Sequence, residues 1–120
     1  MRVLVADDSP QFVDMLVALL SREERIAVVG KALDGLEAVD LATTLAPDVI
    51  LMDISMPGLD GIEATRQIRA QDPDACVLIL TGANNPAEID RSRQAGAAGY
   101  LTKDRVGSSL VDAIIDIAER

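Results

Sequence analysis

Aromatic rings are nearly missing from this chain: Phe12 and Tyr100 are the only two, and neither has a partner in sequence that could sandwich a flavin. A core must therefore be built from Val, Ile, Leu, Ala and Met, and a ring at position 100 stands out. Cysteine is almost as scarce. Cys76 lies among apolar residues in an expected strand, where a small packing residue is the ordinary reading and a redox or metal thiol is not. Basic residues are also few, with 11 Lys and Arg against 20 Asp and Glu, a net charge of -9. That field repels nucleic acid and anionic membranes, so direct nucleic acid binding by this segment is not expected. The N-terminus MRVLVADDS is neither a secretory signal nor a lipidation site, and no apolar run approaches the length of a membrane span. These absences describe a soluble, cytoplasmic chain with no membrane partner.

What is present fits one domain. The 120 residues are 49% hydrophobic, enough for a single core, and no repeat or low-complexity segment interrupts them. Short β-branched runs at Val3 to Ala6, Ile26 to Ala32, Val49 to Met52, Val77 to Thr81 and Gly99 to Thr102 alternate with helical patterns. Several of these runs are continuously apolar, as parallel strands covered on both faces should be. Helix starts are signalled by Ser9-Pro10, by Asp34 with Glu37, by Asp60 with Glu63 and by Asn85-Pro86 with Glu88. Helical spacing follows in Val13, Leu16, Val17 and Leu20, in Ala38, Leu41, Ala42 and Leu45, and in Leu110, Val111, Ile114, Ile115 and Ala118. Five strand-helix units in this order predict an α/β fold: a doubly wound, five-stranded parallel sheet with its functional groups at the carboxyl ends of the strands.

The stretch PDVILMDISMPGLDG carries four apolar residues, Val49 to Met52, up to a carboxylate, Asp53. Asp7 and Asp8 end the first strand run, Thr81 closes the fourth and Lys103 follows the fifth, so all five polar groups belong to one edge of the sheet. Three clustered carboxylates repel and call for cationic compensation. Lys103 supplies one charge, and a hard divalent ion such as Mg²⁺, which accepts carboxylates and leaves room for a phosphoryl group, suits the rest. Asp53 is then the candidate nucleophile toward phosphorus, Asp8 and more indirectly Asp7 the candidate metal ligands, and Thr81 and Lys103 the groups that bind phosphoryl oxygens. The turn at Met56-Pro57-Gly58 exposes the acceptor.

With VLVADDS, DVILMDISMPGLDG, VLILTG and GYLTKD in this order and spacing, essentially the whole chain resembles the receiver domain of two-component response regulators. VVGKALDGLEAV, and KD after the fifth strand, resemble the NarL/LuxR subgroup. The resemblance implies the flavodoxin-like (βα)5 fold with strand order 2-1-3-4-5. It implies Asp53 as the site phosphorylated by a histidine kinase, with Mg²⁺ held by Asp7, Asp8, Asp53 and the Ser55 backbone carbonyl. Thr81 and Lys103 would respond to the phosphoryl group, and Tyr100 would be the aromatic switch that reshapes a surface running over Ile89 to Ala95, Gly99 to Thr102 and Leu110 to Ala118. The expected output partner is the protein's own C-terminal helix-turn-helix, DNA-binding domain, lying outside residues 1–120, and an end at Arg120 reads as the end of an excised domain. A phosphorylation-dependent homodimer, through the first and fifth helices or the fourth-helix surface, is left open.

Two departures qualify the resemblance. Many receivers have proline after the lysine, joined by a cis bond; here Asp104 follows, a non-proline cis bond costs roughly 3 kcal/mol, and a trans bond is expected. Positions 55 and 83, which the resemblance links to phosphoryl lifetime, are Ser and Ala. Two further readings compete: a phosphatase forming an aspartyl phosphate, disfavoured because Ser55 stands where such enzymes place a second aspartate, and an interaction module that works without phosphorylation, disfavoured because acid pair, acceptor and lysine are all present. The segment from Glu88 to Gln94 shows little apolar periodicity and reads either as a solvated face or as a movable output helix.

Overall fold

The computed structural model describes residues 1–119. Its parallel strands are β1 (Arg2–Ala6), β2 (Ala27–Ala32), β3 (Val49–Asp53), β4 (Val77–Thr81) and β5 (Gly99–Thr102). Between and after them run α1 (Pro10–Leu20), α2 (Gly35–Leu45), α3 (Gly61–Gln71), α4 (Pro86–Gln94) and α5 (Val106–Ala118). The sheet order is β2-β1-β3-β4-β5, so the expected doubly wound fold and its strand order are both present.

Alternate residues of each strand face opposite sides, and this period divides the core in two. Leu4, Ala6, Ile50, Met52 and Ile79 pack with Ala38 of α2 and Ile62 and Ile68 of α3. Val3, Val5, Val49, Leu51, Leu78 and Leu80 pack with Val13 and Leu16 of α1 and Leu110, Ile114 and Ile117 of α5. Both faces are covered, and so β3 and β4 are buried at every position. Cys76 belongs to this packing, although it stands one residue ahead of β4. It is half-buried, with its thiol 3.7 Å from the Ile117 carbonyl oxygen.

The helix starts form where the caps predict. Ser9, Asp34, Asp60 and Asn85 are the N-caps, and their side chains accept backbone N–H bonds from Phe12, Glu37, Glu63, and both Ala87 and Glu88. The return half of the expected capping boxes differs. Glu37 accepts from the Leu33 N–H, one residue before the cap, while Glu63 pairs with Arg66 along the helix. Gly61 meets a steric demand: a Cβ there would collide with the Asp53 carbonyl oxygen, so only glycine lets α3 start this close to the end of β3. Gly58, at φ +72, supplies the left-handed residue of the preceding turn. The Lys103-Asp104 peptide is trans, as expected without proline, and the chain turns into a 3-10 segment, Lys103–Arg105, before α5.

Helix α4 is the outlier. Ser92 is its only buried residue, and its ion pairs, Arg91–Glu88 at 3.9 Å and Arg93–Asp90 at 3.7 Å, are exposed and contribute little. Among the described residues no helix is long and apolar enough to cross a membrane.

Candidate functional site

Strand register builds the acidic pocket. Ala6 pairs with Met52 and Asp53 with Leu80, so the residue after β1, Asp7, comes level with the end of β3. Asp7 is fully buried, Asp53 is buried and Asp8 is exposed at the mouth. Each of these three carboxylates presents an oxygen within 4.8 Å of the others. The structure thus brings Asp7, Asp8 and Asp53 together, as the sequence predicts.

Lys103 enters from the end of β5. Its Nζ donates to Asp7 Oδ2 at 2.9 Å, lies 3.3 Å from Asp53 Oδ1, and stands 4.4 Å from the centroid of the Phe12 ring. Burial pulls the ammonium pKa down, but the Asp7 hydrogen bond and the charges of Asp53 and Asp7 outweigh it and hold the pKa above its ordinary value. For Asp53, burial is the largest influence and the neighbouring charge of Asp7 adds to it; against the pull of Lys103 they raise its carboxyl from 3.8 to about 6. At neutral pH Asp53 is therefore ionised in a setting that disfavours its charge.

Thr81 ends β4 at the same edge as Asp53, whereas Tyr100 lies two residues short of the end of β5. The Thr81 hydroxyl donates to the Ala83 carbonyl at 2.8 Å and accepts from the Ala83 N–H at 3.3 Å, a turn closed within its own loop. Tyr100 pairs with Ile79 in the sheet and leaves its side chain 44% exposed. Ser55 is exposed in the loop after β3. Phe12 escaped the sequence reading; the available signal was its rarity, since it is one of only two rings and stands four residues after the acid pair.

Against known proteins, a family model for the response regulator receiver domain matches residues 3–115. The chain is a response regulator receiver domain. The receiver is 38% identical over 118 residues to the probable transcriptional regulatory protein NarL of Mycobacterium tuberculosis, covering 98% of this chain and 55% of that protein. It is 50% identical over 100 residues to a protein-glutamate methylesterase/protein-glutamine glutaminase of Myxococcus xanthus, covering 83% of the chain and 28% of that protein. The solved signal receiver domain of the putative response regulator NarL from M. tuberculosis superimposes with a TM-score of 0.94 at 38% identity, over 98% of this chain and 95% of that one. The receiver spans about half the length of NarL and a smaller share of the methylesterase. NarL/LuxR-type regulators are among its relatives, and the family serves two-component signalling.

Receivers generally use Mg²⁺, and the donor set fits such an ion. All three groups offer hard carboxylate oxygens, and three negative charges against one ammonium leave two uncompensated, the charge of a divalent cation. Asp7, Asp8 and Asp53 would hold it, and it would supply charge neutralisation for an incoming phosphoryl group.

Proposed function

We propose that this receiver takes a phosphoryl group from a histidine kinase onto Asp53 in a Mg²⁺-dependent reaction, and that the modification reshapes its surface to control a DNA-binding domain of the same protein. The observation that carries this is the position of Asp53: an ionisable carboxylate at a strand end, 3.3 Å from an ammonium and beside two further acids. An Asp53 carboxylate oxygen forms the new O–P bond while the P–N bond of a phosphohistidine donor breaks. The electron pair stays with the imidazole nitrogen, which takes up a proton. Lys103 remains beside the acceptor to offset the charge that arrives. The proposed output surface is that of α4, β5 and α5: β5 is an edge strand, α5 packs on one face of the sheet and α4 lies beside α3 on the other.

Thr81 and Tyr100 are the proposed responders. In the structure Thr81 is engaged with Ala83 and Tyr100 is turned outward; a phosphoryl group on Asp53 offers the hydroxyl a charged acceptor in place of a neutral carbonyl. The Thr81 hydroxyl then leaves its turn, and Tyr100 moves into the space beside it. The domain acts as a regulatory phosphoacceptor, with self-phosphorylation from small donors and autodephosphorylation as its only chemistry, and Ser55 would offer its backbone carbonyl to a bound metal.

Intact mass after incubation with acetyl phosphate and Mg²⁺ tests this. A single phosphoryl adduct is expected on the native chain and none on Asp53→Asn. An equal adduct on the variant would move the acceptor elsewhere, and no adduct on a folded native chain would favour an interaction module that works without phosphorylation.

A further inference from the structure

Phe12 is the feature of the pocket that the family reading leaves unused. It sits in the first turn of α1, half-buried, with its ring face 4.4 Å from the Lys103 ammonium. Three neighbours surround Nζ: Asp7 at 2.9 Å, Asp53 at 3.3 Å and the ring. A lysine ammonium has three N–H donors and no acceptor; Asp7 takes one as a hydrogen bond, Asp53 stands at ion-pair distance, and the ring presents its π face to the same charge. The turn that carries the ring is tied to the same site. Asp7 accepts from the Ser9 N–H through Oδ1 at 2.9 Å and from Lys103 through Oδ2, while the Ser9 hydroxyl accepts from the Phe12 N–H at 3.3 Å. One buried carboxylate therefore sets both the ammonium and the backbone turn that places the ring beneath it.

We propose that Phe12 is a positioning residue for phosphotransfer: its ring face holds the Lys103 ammonium aimed at Asp53. Asp7 is shared, since it is also a candidate metal ligand, and a lysine held by Asp7 alone would lose its orientation whenever that carboxylate turned to another cation. The ring does not compete for a metal and supplies a hold that survives the exchange. A leucine of similar size would keep the packing and lose the quadrupole.

The proposal rests on Asp53 being the acceptor, and its test separates the two. Phe12 is the only phenylalanine in the chain, so biosynthetic incorporation of fluorinated phenylalanine alters this ring alone while keeping its shape. Phosphorylation by phosphoramidate with Mg²⁺ would be followed against donor concentration in the native, trifluorophenylalanine, Phe12→Leu and Phe12→Tyr proteins, each checked for folding by thermal melting. The Lys103 NH₃⁺ signal in ¹H–¹⁵N spectra, recorded without donor, gives a second readout of the ring's hold. The expected result is a maximal rate about two- to fivefold lower in the fluorinated and leucine proteins, with little change in the half-saturating donor concentration and with the tyrosine variant near native. The Lys103 signal should exchange faster with water in the two slowed proteins. A native rate in Phe12→Leu, or a tyrosine variant as slow as leucine, would overturn the proposal. If the native protein takes no phosphoryl group while its Lys103 signal stays protected, the acceptor reading fails first and the positioning role falls with it.

Discussion

Asp53 keeps a charge that its surroundings resist. Its carboxyl titrates at about 6 in the fold against an ordinary 3.8, because burial and the Asp7 charge oppose ionisation more than Lys103 favours it. The folded state thus holds this proton more tightly than the unfolded chain does. Stability linked to it is fully present below pH 3.8 and is lost as pH rises through about 6, a shift of about two units and so of about 3 kcal/mol. The neutral, nearly isosteric Asp53→Asn should therefore be more stable than the native protein at pH 7.5 in metal-free buffer, with the advantage gone near pH 4. Urea melts at both pH values measure it. Equal stability at pH 7.5 would mean that Lys103 already compensates the Asp53 charge in full. One acid after a strand is often only a cap or turn former; the acid pair together with Asp53 is what singled out this cluster in the sequence, and the fold brings the three carboxylates within 4.8 Å of one another.

Helix α4 shows how far local signals reach. Its cap was legible, because Asn85 acts on the N–H groups of Ala87 and Glu88 next to it in the chain. Its weak attachment was legible too, in the missing apolar stripe between Glu88 and Gln94. Only Ser92 is buried there, whereas α5 buries Val106, Leu110, Ile114 and Ile117. Local opening should accordingly be easiest in α4. Asn85→Ala, which removes a cap worth about 1 kcal/mol, should accelerate amide hydrogen exchange in residues 87–94 while leaving α5 unchanged. Native exchange in α4 as slow as in α5 would show that its neighbours hold it more firmly than its burial indicates. The 3-10 turn at Lys103–Arg105 had no comparable signature, since it follows from where β5 must hand the chain to α5.

Across the whole molecule the excess of acid is uneven in its consequences. A net charge of -9 weakens any compact state by self-repulsion, and all salts relieve that in part. The pocket adds a site where two negative charges are left over beside Lys103. Mg²⁺ should therefore raise the melting temperature beyond what NaCl of equal ionic strength achieves. At ten times its dissociation constant the gain is about 1.4 kcal/mol, or roughly 5 °C for a domain of this size. Asp8→Asn, at the exposed mouth, should remove most of the Mg²⁺-specific part and leave the salt response intact. Equal effects of the two salts on the native protein would show that the pocket does not select a divalent ion.

Period, caps and strand-end chemistry are properties of short stretches, and they were enough to determine five strand-helix units, the buried strands and the set of acids, hydroxyl and lysine on one edge. The positions of side chains within that edge depended on contacts between distant residues. Asp7 and Lys103 are 96 positions apart, and only the register of β1 with β3 and the path from β5 into its turn place them 2.9 Å from each other. For the same reason the tertiary structure alone decided that Thr81 turns to Ala83, that Tyr100 faces solvent and that Phe12 lies under the lysine: rotamers answer to neighbours that packing brings in, and sequence spacing does not name those neighbours.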